Sequence, residues 1–251
     1  MIWVKKIRSR NFYVRRKRRI ALQKGLSLLP NIFTLGNAFF GFCSIILTAK
    51  GDLFSAAYFI FLGALMDALD GRLARLIGVT SDIGVQLDSL SDAISFCLAP
   101  AVLIYFWQLK KLGVIGIVVA ALFLLAGLLR LARFNVIHDT QTIFFLGLPT
   151  TIAGCFLTTV FLNLGRNEYK DLGLFFLVAL ALTLAGLMVS SISFPTFKQQ
   201  LFHLNRNWYV VAFVVLFAFI AVLQLHQILL ILFLLYFSSA LFVKFKPNFK
   251  K

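Results

Sequence analysis

The sequence predicts an all-α polytopic membrane protein with about eight transmembrane helices. Three observations predict it. Of the 251 residues, 61% are hydrophobic and only 14% charged, with a mean hydropathy of +0.92, outside the range of water-soluble domains. The apolar stretches, such as 171–191 and 210–243, are continuous and lack the two-residue alternation of a β-barrel. The cations also gather at alternate ends of the apolar runs, as they do in helical membrane proteins.

The first element is a basic arm over 1–28, with ten Lys/Arg among its first 25 residues. No small-residue cleavage site closes the apolar stretch that follows, so the arm reads as a retained cytosolic segment rather than a leader. Beside a first span, the run Arg15, Arg16, Lys17, Arg18 and Arg19 is a partner for anionic lipid head groups rather than for nucleic acid.

The spans follow at 31–49, 53–76, 83–107, 113–133, 144–163, 172–191, 208–223 and 227–243, separated by polar or glycine-containing breaks. The last pair rests on a weak break at Gln224, His226 and Gln227; without it the count is seven. With eight spans, twenty cations fall on the side of the termini and five (Lys50, Lys110, Lys111, Arg166 and Lys170) on the other. Both termini are therefore expected in the cytosol. Trp107 and Trp208 fall near span ends, at head-group level. Cys43, Cys97 and Cys155 are scattered singly and read as packing residues. His138 and His226 read as loop residues, and no internal repeat of the inverted-transporter kind is evident.

The chemistry is concentrated in the second and third spans. Of nine Asp and Glu residues, Asp67, Asp70, Asp82, Asp88 and Asp92 lie within 26 positions that the bilayer should largely enclose. Ionisable groups are costly there and mark function. At about 100° per residue, Asp67, Asp70, Gly71, Ala74 and Arg75 share one helix face, and Gly84, Asp88 and Asp92 form an i, i+4, i+8 stripe on the next. A turn near Gly78 to Ser81 would bring Asp67, Asp70, Asp88 and Asp92 together. Packed in low dielectric, four carboxylates repel one another unless cations intervene, so the arrangement implies a metal centre. An all-oxygen set favours Mg²⁺ or Mn²⁺. Gly71 and Gly84 leave room for a bulky phosphate, and Arg75 is spaced to pair with it. Salt bridges from Arg72 and Arg75 are an alternative that leaves two carboxylates over. A cation or proton path through a transporter is the rival function.

Asp67-x-x-Asp70-Gly71-x-x-Ala74-Arg75, eight residues, then Gly84-x-x-x-Asp88-x-x-x-Asp92 resembles the motif of the CDP-alcohol phosphatidyltransferases at every fixed position. Further segments resemble the membrane-embedded phosphatidylserine synthase branch. They are Leu29 to Asn37 with Gly41, Leu129 to Asn135, Gly147-Leu-Pro149, and Leu187 to Lys198. The branch often carries a basic residue near Ser191 or Ser193, which is absent here.

The resemblance implies a six-helix catalytic core over 29–206 and two additional spans over 207–251. It also implies a CDP-linked lipid donor, a hydroxyl acceptor that in this branch is L-serine, release of CMP, and a homodimer. Glycerol phosphate or inositol phosphate are the alternative acceptors. By the same analogy, Asp67, Asp70 and Asp88 hold one metal ion and Asp67, Asp88 and Asp92 a second. Asp92 is also the implied base; the two roles compete, and the base role is expected to dominate. Arg75 with the amides around Gly71 and Gly84 would bind the diphosphate, and Asn31, Thr34 and Asn37 would complete the cytidine pocket. Arg130 and Arg133 either anchor the fourth span or bind the serine carboxylate or a second phosphate. Lys198, His203 and Arg206 follow the sixth span, as lid or anchor.

Overall fold

The computed structural model describes residues 28–77, 82–137, 145–165 and 171–194, with isolated positions at 227, 230, 231 and 233. The basic arm, the expected turn at 78–81, the break expected between the last two spans at 224–226, and the region holding Lys198, His203, Arg206 and Trp208 lie outside the described residues, as does His138.

Apolar sequence becomes helix over nearly all of the described part. Helix α1 (Leu28–Ala49) carries Pro30 in its first turn, where no intrahelical N–H is forfeited. It ends at Gly51, whose φ of +88° reverses the chain. Asp52 then caps α2 (Leu53–Ile77) by accepting the Ser55 N–H at 3.2 Å. The two helices form a long hairpin, with Phe40 and Phe59 edge-on at 5.8 Å.

The third span is continuous but not uniform. Helix α3 (Asp82–Asp92) passes into a π-helical segment (Ala93–Leu98) and then α4 (Ala99–Trp107). Pro100 has no N–H to give the Phe96 carbonyl four residues back, and its ring crowds that carbonyl. The chain widens instead, and the Ala99 N–H reaches five residues back to Ile94. This wide segment is seated against glycines from three helices. A Cβ at Gly41 would run into Ser95, one at Gly127 into Cys97, and one at Gly154 would stand 2.5 Å from the Phe96 carbonyl oxygen.

A short 3₁₀ turn (Leu109–Leu112) leads to α5 (Val114–Ile137). The fifth span starts later than its expected residue 144. Residues Phe145–Leu146 form β1, a two-residue strand, and α6 begins at Thr150 after Pro149 and runs to Leu164. Helix α7 (Asp171–Val189) follows, and β2 (Ser193–Phe194) pairs antiparallel with β1. Gly147 has a φ of +81°, which favours glycine, and a Cβ added there would run into the Met188 carbonyl oxygen, so no side chain fits. Its N–H donates to Ile192 and that of Leu148 to Leu187, at 2.9 and 3.0 Å. The purely helical expectation thus gains one small β clasp.

Among the described residues, four helices are long and apolar enough to cross a membrane: Pro30–Ala49, Leu53–Ala74, Ile83–Trp107 and Val114–Val136. Thr150–Leu164 and Gly173–Val189 are shorter apolar helices. Helix α6 is buried on nearly every side, from Thr150 to Leu162, and forms the centre of the bundle. Outward positions of α1 such as Ile32, Leu35, Phe39 and Phe42 are apolar and exposed, the surface expected against lipid. The protein is a helical membrane protein.

Candidate active site

The i, i+3 spacing of Asp67 and Asp70 sets both on one side of α2, and Asp88 stands on α3 opposite them. Each of the three offers an oxygen within 4.8 Å of the others. Asp70 is 5% exposed, and its Oδ2 is buried without a hydrogen-bond donor. A buried carboxylate oxygen left over in this way fits a cation, because the alternative is an uncompensated charge. The donor set is oxygen only, as a hard divalent ion requires.

Asp92, one turn beyond Asp88, is not one of these three but interacts electrostatically with all of them. Its Oδ1 accepts from Asn37 Nδ2 of α1 at 3.3 Å, and the positive charge of Arg130 on α5 acts on it electrostatically. Arg130 is 9% exposed and donates through Nη1 to the Thr150 hydroxyl at 3.3 Å, at the first residue of α6. A potential base and a buried cation therefore lie within electrostatic reach of one another.

The other residues singled out in the sequence are spread around this centre. Thr34 is buried, its hydroxyl donating to the Pro30 carbonyl at 3.1 Å and lying beside Asp70. Asn31 and Gly84 are half-buried, and Gly71, next to Asp70, is exposed. Arg133 is exposed, unlike Arg130, so the two arginines do not share one environment. The side chains of Arg75 and Asp82, and all of Lys198, lie outside the described residues.

Two contacts had no signal in the sequence. Ser95 donates to the Asn37 carbonyl at 2.8 Å, and Ser89 donates to Asn135 Oδ1 at 2.9 Å, tying α3 to α5. Single serines in apolar helices carry no pattern that separates such bonds from a hydroxyl bonded to its own helix.

A profile of the CDP-alcohol phosphatidyltransferase family matches residues 27–192. The chain is 35% identical over 219 residues to the CDP-diacylglycerol–serine O-phosphatidyltransferase of Helicobacter pylori, covering 84% of this chain and 90% of the relative. It is 36% identical over 178 residues to the enzyme of the same name from Bacillus subtilis, covering 70% and 94%. It is also 37% identical over 169 residues to the archaetidylserine synthase of Methanothermobacter thermautotrophicus, covering 66% and 69%.

Proposed function

The chain belongs to the CDP-alcohol phosphatidyltransferase family, and on that premise we propose that it transfers a phosphatidyl or archaetidyl group from a CDP-linked lipid to L-serine, releasing CMP. The observation that carries the serine assignment is the electrostatic interaction between Asp92 and the buried Arg130. Serine presents a hydroxyl and a carboxylate two bonds from the carbon that bears it. Asp92 suits the first and Arg130 the second. Relatives named for serine transfer support the same acceptor.

In this reading Asp67, Asp70 and Asp88 would hold one Mg²⁺ or Mn²⁺, and Asp67, Asp88 and Asp92 would hold a second, weaker one. When bound, the ions supply positive charge that offsets the charge developing on the departing CMP phosphate. Asp92 removes the serine hydroxyl proton, which frees an oxygen lone pair to attack the lipid-bearing phosphorus. Arg75 and the N–H groups near Gly71 and Gly84 hold the diphosphate, with Asn31 and Thr34 towards the cytidine. Arg130, braced by Thr150, orients serine by its carboxylate. Arg133 anchors its helix, and Lys198 is the remaining candidate for an anion contact.

The reading extends to organisation. A basic arm (1–28) precedes a six-helix catalytic core (29–206), and two further spans with a basic tail (207–251) bring the count to eight. Both termini and the site face the cytosol, as the distribution of cations supports. Family resemblance supports a homodimer.

The test is CMP release by purified protein given CDP-lipid, Mn²⁺ and, separately, L-serine, glycerol 3-phosphate or inositol phosphate. Release is expected with serine. Release only with another acceptor would replace serine, and none with any acceptor, together with cation flux in vesicles, would favour a transporter.

A further inference from the structure

Asn37 and Asp92 meet where α1 crosses the third span. Asn37 is fully buried, donates through Nδ2 to Asp92 Oδ1 at 3.3 Å, and accepts the Ser95 hydroxyl at 2.8 Å on its own backbone carbonyl. Ser95 is itself fully buried and lies three residues after Asp92, inside the π-helical segment. The two bonds close a ring between α1 and the third span: Asp92 to the Asn37 side chain, along Asn37 to its carbonyl, and back through Ser95 to the chain that carries Asp92.

The surroundings leave that amide one orientation. Its Oδ1 is buried without a hydrogen-bond partner and faces Gly63 of α2, where an added Cβ would stand 2.9 Å away. Turning the amide over would point an NH₂ at a carbon and an oxygen at a carboxylate. Gly63 leaves the space the amide occupies, and Gly41 leaves the space for Ser95. A side chain enclosed by α1, α2 and the π-helical segment has no surface to offer a nucleotide.

We propose that Asn37 is a positioning residue for Asp92, anchored by Ser95, rather than a cytidine contact. By holding Oδ1, the amide sets the rotation of the carboxylate, so that its remaining lone pairs keep one direction relative to the acceptor hydroxyl. The inference rests on Asp92 being the base of the transfer proposed above. The π-helical segment then has a purpose: its extra width brings Ser95 onto the α1 carbonyl while Asp92 still points to the site.

The test compares Asn37→Leu, which keeps the bulk and removes the donor, with Ser95→Ala, which removes only a hydroxyl. In Asn37→Leu, kcat for CMP release should fall about 10- to 100-fold, the range for losing one hydrogen bond to a charged group. The KM for CDP-lipid and the calorimetric Kd for CDP should stay within about twofold, because only a step after donor binding is affected. Ser95→Ala should show the same signature with a smaller loss. A weakened CDP Kd with kcat retained would mean that Asn37 touches the nucleotide, and unchanged kcat in both variants would mean it positions nothing; either overturns the proposal. If Asn37→Leu does not fold, Ser95→Ala decides, and full kcat counts against. Should the wild type release no CMP with serine, the acceptor reading falls separately. The pairing is then read from unfolding midpoints of Asn37→Leu, Asp92→Ala and the double variant: non-additive shifts support it and additive ones overturn it.

Discussion

The Arg130 guanidinium donates to the Thr150 hydroxyl at 3.3 Å, joining the C-terminal part of α5 to the first residue of the buried helix α6. The bond holds a long, flexible cation in one place within electrostatic reach of Asp92, at the end of a helix where the β clasp also fixes the entering chain.

If Arg130 binds the serine carboxylate, Arg130→Met should raise the KM for serine about 10- to 100-fold, the range for losing a charged hydrogen bond. The KM for CDP-lipid should change little. Thr150→Val should give a smaller rise, since the cation remains but loses its brace. Arg133→Ala, on an exposed side chain, should leave both constants within about twofold. Initial-rate measurements with each substrate varied would check this.

Asp92→Asn keeps the shape and removes the base, so turnover should fall by about 10² to 10⁴. CDP binding, measured by calorimetry, should be largely intact. Turnover near that of the wild type would remove the base assignment.

The aspartate triad predicts metal dependence. Chelation should abolish CMP release, and Mn²⁺ or Mg²⁺ should restore it. Saturating Mn²⁺ at about 100 times its Kd should stabilise the fold by about 2.7 kcal/mol, seen as a higher Tm in detergent. Asp70→Ala should remove most of that shift. A Tm indifferent to Mn²⁺ would count against a metal at Asp67, Asp70 and Asp88.

The seat of the π-helical segment predicts a contrast between two glycines. Gly154→Leu places a side chain against the Phe96 backbone and should cost about 1–3 kcal/mol, lowering the Tm and the activity together. Gly186→Ala in α7 meets nothing within 4 Å and should be neutral or slightly stabilising. Thermal unfolding of the two variants separates these outcomes.

How far the sequence could be read depended on the kind of signal. Long apolar runs marked the helices containing Pro30–Ala49, Leu53–Ala74, Ile83–Trp107 and Val114–Val136, because a bilayer demands length that few other settings do. The meeting of Asp67, Asp70 and Asp88 was legible because spacing on a helix fixes direction, and charge in an apolar run stands out. The late start of α6 was not legible, since Phe145 and Leu146 are as apolar as a helix would be, and the break is made by Gly147 against Met188. Nor was the environment of Asn37: its burial depends on Gly63 and Ser95, distant in sequence, and on a π-helical widening that Pro100 induces. Arg130 and Arg133 looked equivalent at three residues apart, and only the packing of α6 separates them.

The most direct test of the central claim follows labelled L-serine into lipid, with purified protein, CDP-lipid and Mn²⁺, while CMP is counted in the same tube. One serine should enter chloroform-extractable lipid for each CMP released, and neither product should form with Asp92→Asn. CMP release without serine entering the lipid, or serine incorporation undiminished in Asp92→Asn, would contradict it.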